Sequence, residues 1–179
     1  FSSTGNGPLI EVFEGRIEIT SPGEPLVDIE RFLDSPPTSR NELLASLMRR
    51  FRICEERGSG IDKVVAQVEL YQLPPPLFEV PPGSTRIVLF APRPLAEMDK
   101  DERVRACYWH ACLKYVQREA VTNATIRDRF GIEPQNRAMA SRLLRDAVDA
   151  GVIVPRDPDA GPKHMQYLPW WAVSTKRER

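Results

Sequence analysis

The chain has 179 residues, 41% of them hydrophobic, with 25 basic and 25 acidic side chains and no net charge. That length suits one large domain or two small ones, at roughly 100–150 residues per domain, and no apolar run approaches the ~18 residues that span a membrane. The opening FSSTGNGPLI has neither the basic start nor the apolar run of a signal peptide, and three cysteines without framework spacing argue against a secreted disulfide scaffold. A cytoplasmic setting is expected, and a chain that opens on Phe1 without a methionine is expected to be a piece of something longer.

Charge is uneven along the chain. Residues 99–179 carry 15 basic and 11 acidic side chains, a balance of +4, and the rest carry 10 and 14, a balance of −4. A mildly basic module after an acidic one is the pattern expected if only the second meets a polyanion. FAPRPLAEMDKDER, two prolines and then a charge cluster, places a linker near Pro92–Met98. Two domains are therefore expected, over 1–94 and 95–179.

In chain order, PLIEVF and RIEITS alternate apolar and polar residues around Glu14-Gly15, which reads as a β-hairpin. Ile10, Val12, Ile17 and Ile19 are expected on its core face, and Glu11, Glu14 and Glu18 on its wet face. SPGEPL breaks the second strand. Ser39 and Glu42 form an S-x-x-E capping box ahead of LLASLMRRF. CEERGSGIDKVV, Cys54–Val65, opens a helix on which Ile61, Val64, Val65, Val68 and Tyr71 recur at helical spacing. PLFEV and TRIVLFA make a second hairpin that turns at Pro82-Gly83. The chain has no G-x-x-x-x-G-K-[ST], and Gly58-Ser59-Gly60 is only half of a dinucleotide fingerprint. By their own chemistry these glycines form a tight turn before a helix, with a serine able to cap it.

In DERVRACYWHACLKYV, residues Val104, Cys107, Tyr108, Ala111, Cys112 and Tyr115 share one helical stripe. Thr122 or Asn123 then caps a short helix that buries Ile126 and Phe130 and ends at Gly131. NRAMASRLLRDAVDAGVIV carries a core stripe of Ala140, Leu143, Leu144, Ala147 and Val148, with Gly151 as its stop. Two short strands around a Pro/Asp/Gly loop follow. Three helices and a hairpin describe a winged helix-turn-helix. Its third helix would enter a major groove with Gln135, Asn136 and Arg137 at the entrance. Arg137, Ser141 and Arg145 share a face there, with Arg142 beside them, and the loop adds Arg156, Lys163 and His164 for phosphate contact. The same architecture also serves dimerisation and protein docking, so fold alone leaves both uses open. Tyr167, Trp170 and Trp171 are expected to clamp the tail to the domain. Cys107, His110 and Cys112 lack the paired short spacings and the fourth ligand of a zinc site, and Cys107 and Cys112, on or near the apolar stripe, read as small buried side chains. No nucleophile pattern is present, so neither a catalytic residue nor a metal site is expected.

RIEITSPGEPL, PPTSRNELLASLMRRF and CEERGSGIDKVV, in this order, resemble the C-terminal part of a bacterial and archaeal family of RecG-like ATP-dependent DNA helicases. Its members are also described as transcriptional regulators with an AlbA-type, Schlafen-like N-terminal domain. YLPWWA, Tyr167–Ala172, resembles the same family, and the likeness runs along nearly the whole chain. It implies a partial ATPase-like layer of the histidine-kinase/gyrase type. Gly23 would stand near one nucleotide-facing turn, and Gly58, Ser59 and Gly60 at the lid-side turn, whose free amides suit phosphate. In that ATPase type a preceding helix supplies the asparagine and glutamate that hold the metal and activate water, and in the family that helix ends a few residues before the point corresponding to Phe1. This chain alone is therefore expected to hold no cofactor and not to hydrolyse ATP, with ATP and Mg belonging to a full-length protein.

The expected fold class is α+β, a partial ATPase-like α/β layer followed by a winged helix-turn-helix. The expected function is DNA binding in transcriptional control, with double-stranded DNA as partner and no membrane. An unpaired sheet edge would admit a second copy of the chain. The alternatives are the C-terminal part of an ATP-driven helicase-like enzyme and a winged-helix protein-interaction or dimerisation module.

Overall fold

The computed structural model describes residues 7–53, 60–161 and 163–174. They divide into two units, one drawn from Phe1–Val64 and Pro76–Phe90, the other from Val65–Pro75 and Ala91–Arg179. Together they make an α+β chain of antiparallel sheets and helices.

In the first unit the alternating segments pair into a four-stranded antiparallel sheet. Its strands are β1 (Leu9–Phe13), β2 (Arg16–Pro22), β3 (Leu77–Glu79) and β4 (Ser84–Phe90), in spatial order β1-β2-β4-β3. Gly83 turns the second hairpin at a φ of +70°, a conformation without steric cost only for glycine. The register aligns Ile10, Ile19, Ile87 and Phe78 in one cross-strand row. At one end of the row Phe78 is buried and meets Phe32 edge-on, ring centroids 5.3 Å apart.

At the other end the expected core face is not covered: Ile10 is 64%, Val12 75% and Ile17 39% exposed. Period-two alternation fixes which residues share a face, but β1 is an edge strand and burial is concentrated toward β3 and β4. Glu18 departs from expectation in the opposite sense. Its side chain is largely covered and paired with Arg16 at 2.6 Å and Arg86 at 3.8 Å.

Helix α1 (Glu42–Arg50) is capped by Asn41, whose side chain accepts from the Leu44 amide at 2.9 Å. Ser39 is therefore not the cap. Its hydroxyl donates to the Glu42 carboxylate at 2.6 Å, and this hydrogen bond lowers the Glu42 pKa from its ordinary value. Helix α2 (Gly60–Leu70) buries Val65 and Val68, whereas Tyr71 lies past its last residue and is exposed.

The second unit contains α3 (Lys100–Val116), α4 (Asn123–Phe130), α5 (Arg137–Asp149), β5 (Ile153–Pro155), β6 (Tyr167–Pro169) and the short α6 (Trp171–Ser174). The capping box Asp99/Glu102 starts α3. That helix is buried continuously from Ala106 to Leu113, far more than a stripe, because α5, β6 and residues of Val65–Pro75 pack around it. The core joins Cys107 and Ala111 of α3, Ile126 and Phe130 of α4, Leu143, Leu144 and Ala147 of α5, and Ile153 of β5. Pro92–Met98, expected as a linker, supplies Leu95 and Met98 to this packing.

Val121 exchanges backbone hydrogen bonds with Tyr167 at 3.0 and 2.9 Å, extending the pairing of β5 with β6. Trp171 is buried, donates its indole N–H to the Tyr108 hydroxyl at 3.1 Å and packs edge-on against Tyr115. Trp170, expected in the same clamp, is 41% exposed and takes no buried place beside Trp171. No helix among the described residues is long and apolar enough to cross a membrane.

Candidate nucleic-acid interface

The second unit carries a basic cleft whose construction starts at a helix cap. Thr122 is the N-cap of α4: its hydroxyl accepts from the Thr125 amide at 3.2 Å, and the Thr125 hydroxyl accepts from the Thr122 amide at 3.1 Å. Gly131, at a φ of +62°, closes the helix in the left-handed region. Asn123 is thereby the first helical residue and turns toward α5. Its amide nitrogen donates to the Arg137 carbonyl and to the Ser141 hydroxyl, both at 2.9 Å, and its side-chain oxygen accepts from Arg127 Nε at 3.1 Å. One asparagine thus ties the first turn of α4 to the first turn of α5.

Beside this junction opens a cleft of about 1360 Å³, walled by Thr122, Asn123, Arg127, Pro134, Arg137, Ser141, Arg142, Arg145 and Lys163 among others. Five of these side chains are cationic. Among the described residues, no carboxylate forms an ion pair with Arg127, Arg137, Arg142, Arg145 or Lys163. Unneutralised guanidinium groups clustered along one wall suit a polyanion, which would release its counterions on contact.

The sequence-derived candidates divide on this geometry. Arg137, Ser141, Arg142, Arg145 and Lys163 line the cleft together. Gln135 and Asn136 sit in the exposed 3-10 turn Pro134–Asn136 that precedes α5 and do not line it, although Pro134 does. Arg156 is also outside its walls: it spans its own loop, bonding the Gln166 carbonyl through its amide at 2.8 Å and the Gln166 side chain through its guanidinium at 3.1 Å. His164 is exposed at the end of the same loop. Sequence reasoning missed Arg127 and the connecting role of Asn123. The available signal was their spacing of four along a helix, which places them on one face.

Elsewhere in this unit the buried polar groups are internal. His110 Nδ1 lies 2.9 Å from the Glu69 carboxylate, and Arg129, 4% exposed, lies 3.9 Å from the other Glu69 oxygen while donating to the Leu73 carbonyl at 2.8 Å. Burial lowers the Arg129 pKa, and Glu69 opposes that shift. Among the described residues no three His, Cys, Asp or Glu side chains gather as a metal site would require. Burial pushes the Cys107 thiol up to about 12.

The first unit holds a cavity of about 850 Å³ whose wall includes Gly23, Arg40, Arg49 and Ile61. Gly23 adopts a φ of +94°, its amide donates to the Gly83 carbonyl at 2.8 Å, and an added Cβ would lie 3.5 Å from the Arg40 guanidinium, itself bonded to the Glu24 carbonyl. Of the other glycine-turn candidates, Gly60 is the first residue of α2, and Gly58 and Ser59 lie outside the described residues.

Comparison with known proteins finds a family match in the N-terminal half of the chain. No curated protein matches the chain. One solved structure, the DIP2311 protein from Corynebacterium diphtheriae, is 18% identical over 89% of this chain, with a TM-score of 0.42, and this chain covers 35% of its length. The likeness expected along nearly the whole sequence is met at family level over residues 5–89, which contain the four-stranded sheet and the Gly23 cavity. Residues 5–89 match the family model described as "Putative ATP-dependent DNA helicase recG C-terminal", and the match ends at Leu89, before the helices α4 and α5 that line the basic cleft.

Proposed function

We propose that the chain is the DNA-binding C-terminal region of a cytoplasmic transcriptional regulator. In this reading 95–179 is a winged helix-turn-helix that grips double-stranded DNA, and 1–94 is an incomplete nucleotide-binding-like domain. The carrying observation is the cleft of cations on α5 and α4, with Lys163 of the loop beside them, none of which forms an ion pair among the described residues. The order of three helices followed by a strand pair, with Val121 bridged to β6, supports the winged-helix assignment. In that docking mode α5 is the helix that enters the groove, with Arg137, Arg142 and Arg145 within reach of base edges or phosphates.

A gel shift of the full chain against random duplex at two salt concentrations tests it. Salt-sensitive binding that is weakened by Arg137→Ala combined with Arg142→Ala supports the regulator. Binding unchanged by that pair, or absent from the wild type, rejects it, and loss of dimers with unchanged binding would favour an interaction module.

A second reading, favoured by the family description of residues 5–89, is the C-terminal part of an ATP-dependent helicase-like enzyme. Nucleotide would then occupy the Gly23 cavity, whose volume lies in the range of small-molecule sites. Arg40 and Arg49 on its wall fit phosphate charge. The carboxylates on the same wall fit a metal poorly: Glu24 accepts from the Gly83 amide, and Glu42 is engaged by Ser39 and Arg49. ATP-stimulated strand separation by the full-length protein would distinguish this reading from the first.

A further inference from the structure

We infer that Arg127 is a preset phosphate contact of the basic cleft, held for that role by Asn123, and that it contributes affinity without contributing sequence preference. The inference rests on the proposed DNA-binding use of the same cleft. Asn123 spends its whole side-chain amide on the protein: both bonds of its nitrogen go to α5 and its oxygen goes to Arg127. An asparagine so engaged has no free edge to pair with adenine, the reading role open to an unbound asparagine in a groove. Its effect is instead on Arg127. Fixing the guanidinium at Nε leaves the two terminal nitrogens in a defined fork at the wall of the cleft. That fork matches two oxygens of one phosphate.

Position supports the same division of labour. Arg127 stands on α4, whereas Arg137, Ser141, Arg142 and Arg145 stand on α5. When the second of two such helices enters a groove, the first crosses the backbone. The fork is also restrained before binding, since Asn123 is itself anchored to the Arg137 carbonyl and the Ser141 hydroxyl. Less side-chain freedom is then lost on contact than for a solvated arginine.

Fluorescence anisotropy of the full chain on two labelled duplexes, one G·C-rich and one A·T-rich, across a potassium chloride series tests this. Arg127→Gln should reduce the slope of log affinity against log salt by about one, the value of roughly 0.9 per neutralised phosphate, and weaken both duplexes by the same factor. Arg127→Lys should restore the slope. Asn123→Ala should lose more affinity in the wild-type chain than in the Arg127→Gln chain, because the two residues act together. An unchanged slope in Arg127→Gln, or a shifted preference between the duplexes, would overturn the assignment while leaving DNA binding intact. Equal losses for Asn123→Ala in both backgrounds would remove Asn123 as its positioning residue. Wild-type binding that does not depend on salt would instead sink the DNA-binding reading, and this inference with it.

Discussion

Cys107 shows at the single-residue scale how burial converts a surface chemistry into a stability term. Its side chain is fully buried in the second unit's core, and burial moves its thiol from 9.0 to about 12. The unfolded chain therefore loses this proton first. The contribution to stability is complete below about pH 9 and declines as pH rises toward 12. Urea titrations across that range should show a fall in unfolding free energy that is shallower in Cys107→Ala. Glu69 gives a second expectation. Arg129 is buried beside it, and removing the carboxylate leaves an uncompensated cation, so Glu69→Leu should cost about 3–5 kcal/mol, measured by chemical denaturation. The sequence identified Cys107 as buried from its stripe, but nothing in it announced Arg129 or His110 as buried. Those positions became interior only because residues of Val65–Pro75 pack within the second unit.

Among the elements, those whose ends are set by local chemistry were the most legible. Thr122 and Gly131 bound α4 as its cap and left-handed stop, and both were readable as such. Thr122→Ala should cost about 1 kcal/mol of stability, seen as a lowered thermal midpoint, because the Thr125 amide loses the hydroxyl that accepts from it. The S-x-x-E motif before α1 misled for a physical reason: Asn41 lies closer to the first turn and takes the Leu44 amide, leaving Ser39 to bond the Glu42 side chain. The first hairpin's pairing was legible, but its exposure was not. An alternating pattern says which side chains travel together, while an edge position decides how much of that face anything covers.

For the whole molecule, zero net charge hides a local concentration of five cations that form no ion pair among the described residues. If all five meet phosphates, a fourfold rise in salt should weaken DNA binding by roughly 500-fold, whereas a contact made only by Arg137 and Arg142 should lose roughly tenfold. Anisotropy in a salt series separates these outcomes. The candidate site was partly written in the sequence: the four-residue spacing of Arg137, Ser141 and Arg145 fixed a shared helix face before any coordinates. By itself the sequence determined most of the elements, the ends of α4 and which side chains share a face, because those depend on neighbours one to four residues away. Only the tertiary structure decided that Arg127 and Lys163 join that face while Gln135, Asn136 and Arg156 do not. Those outcomes depend on how α4 docks on α5 and on hydrogen bonds between residues 14 and 18 positions apart, distances over which local pattern carries no geometric information.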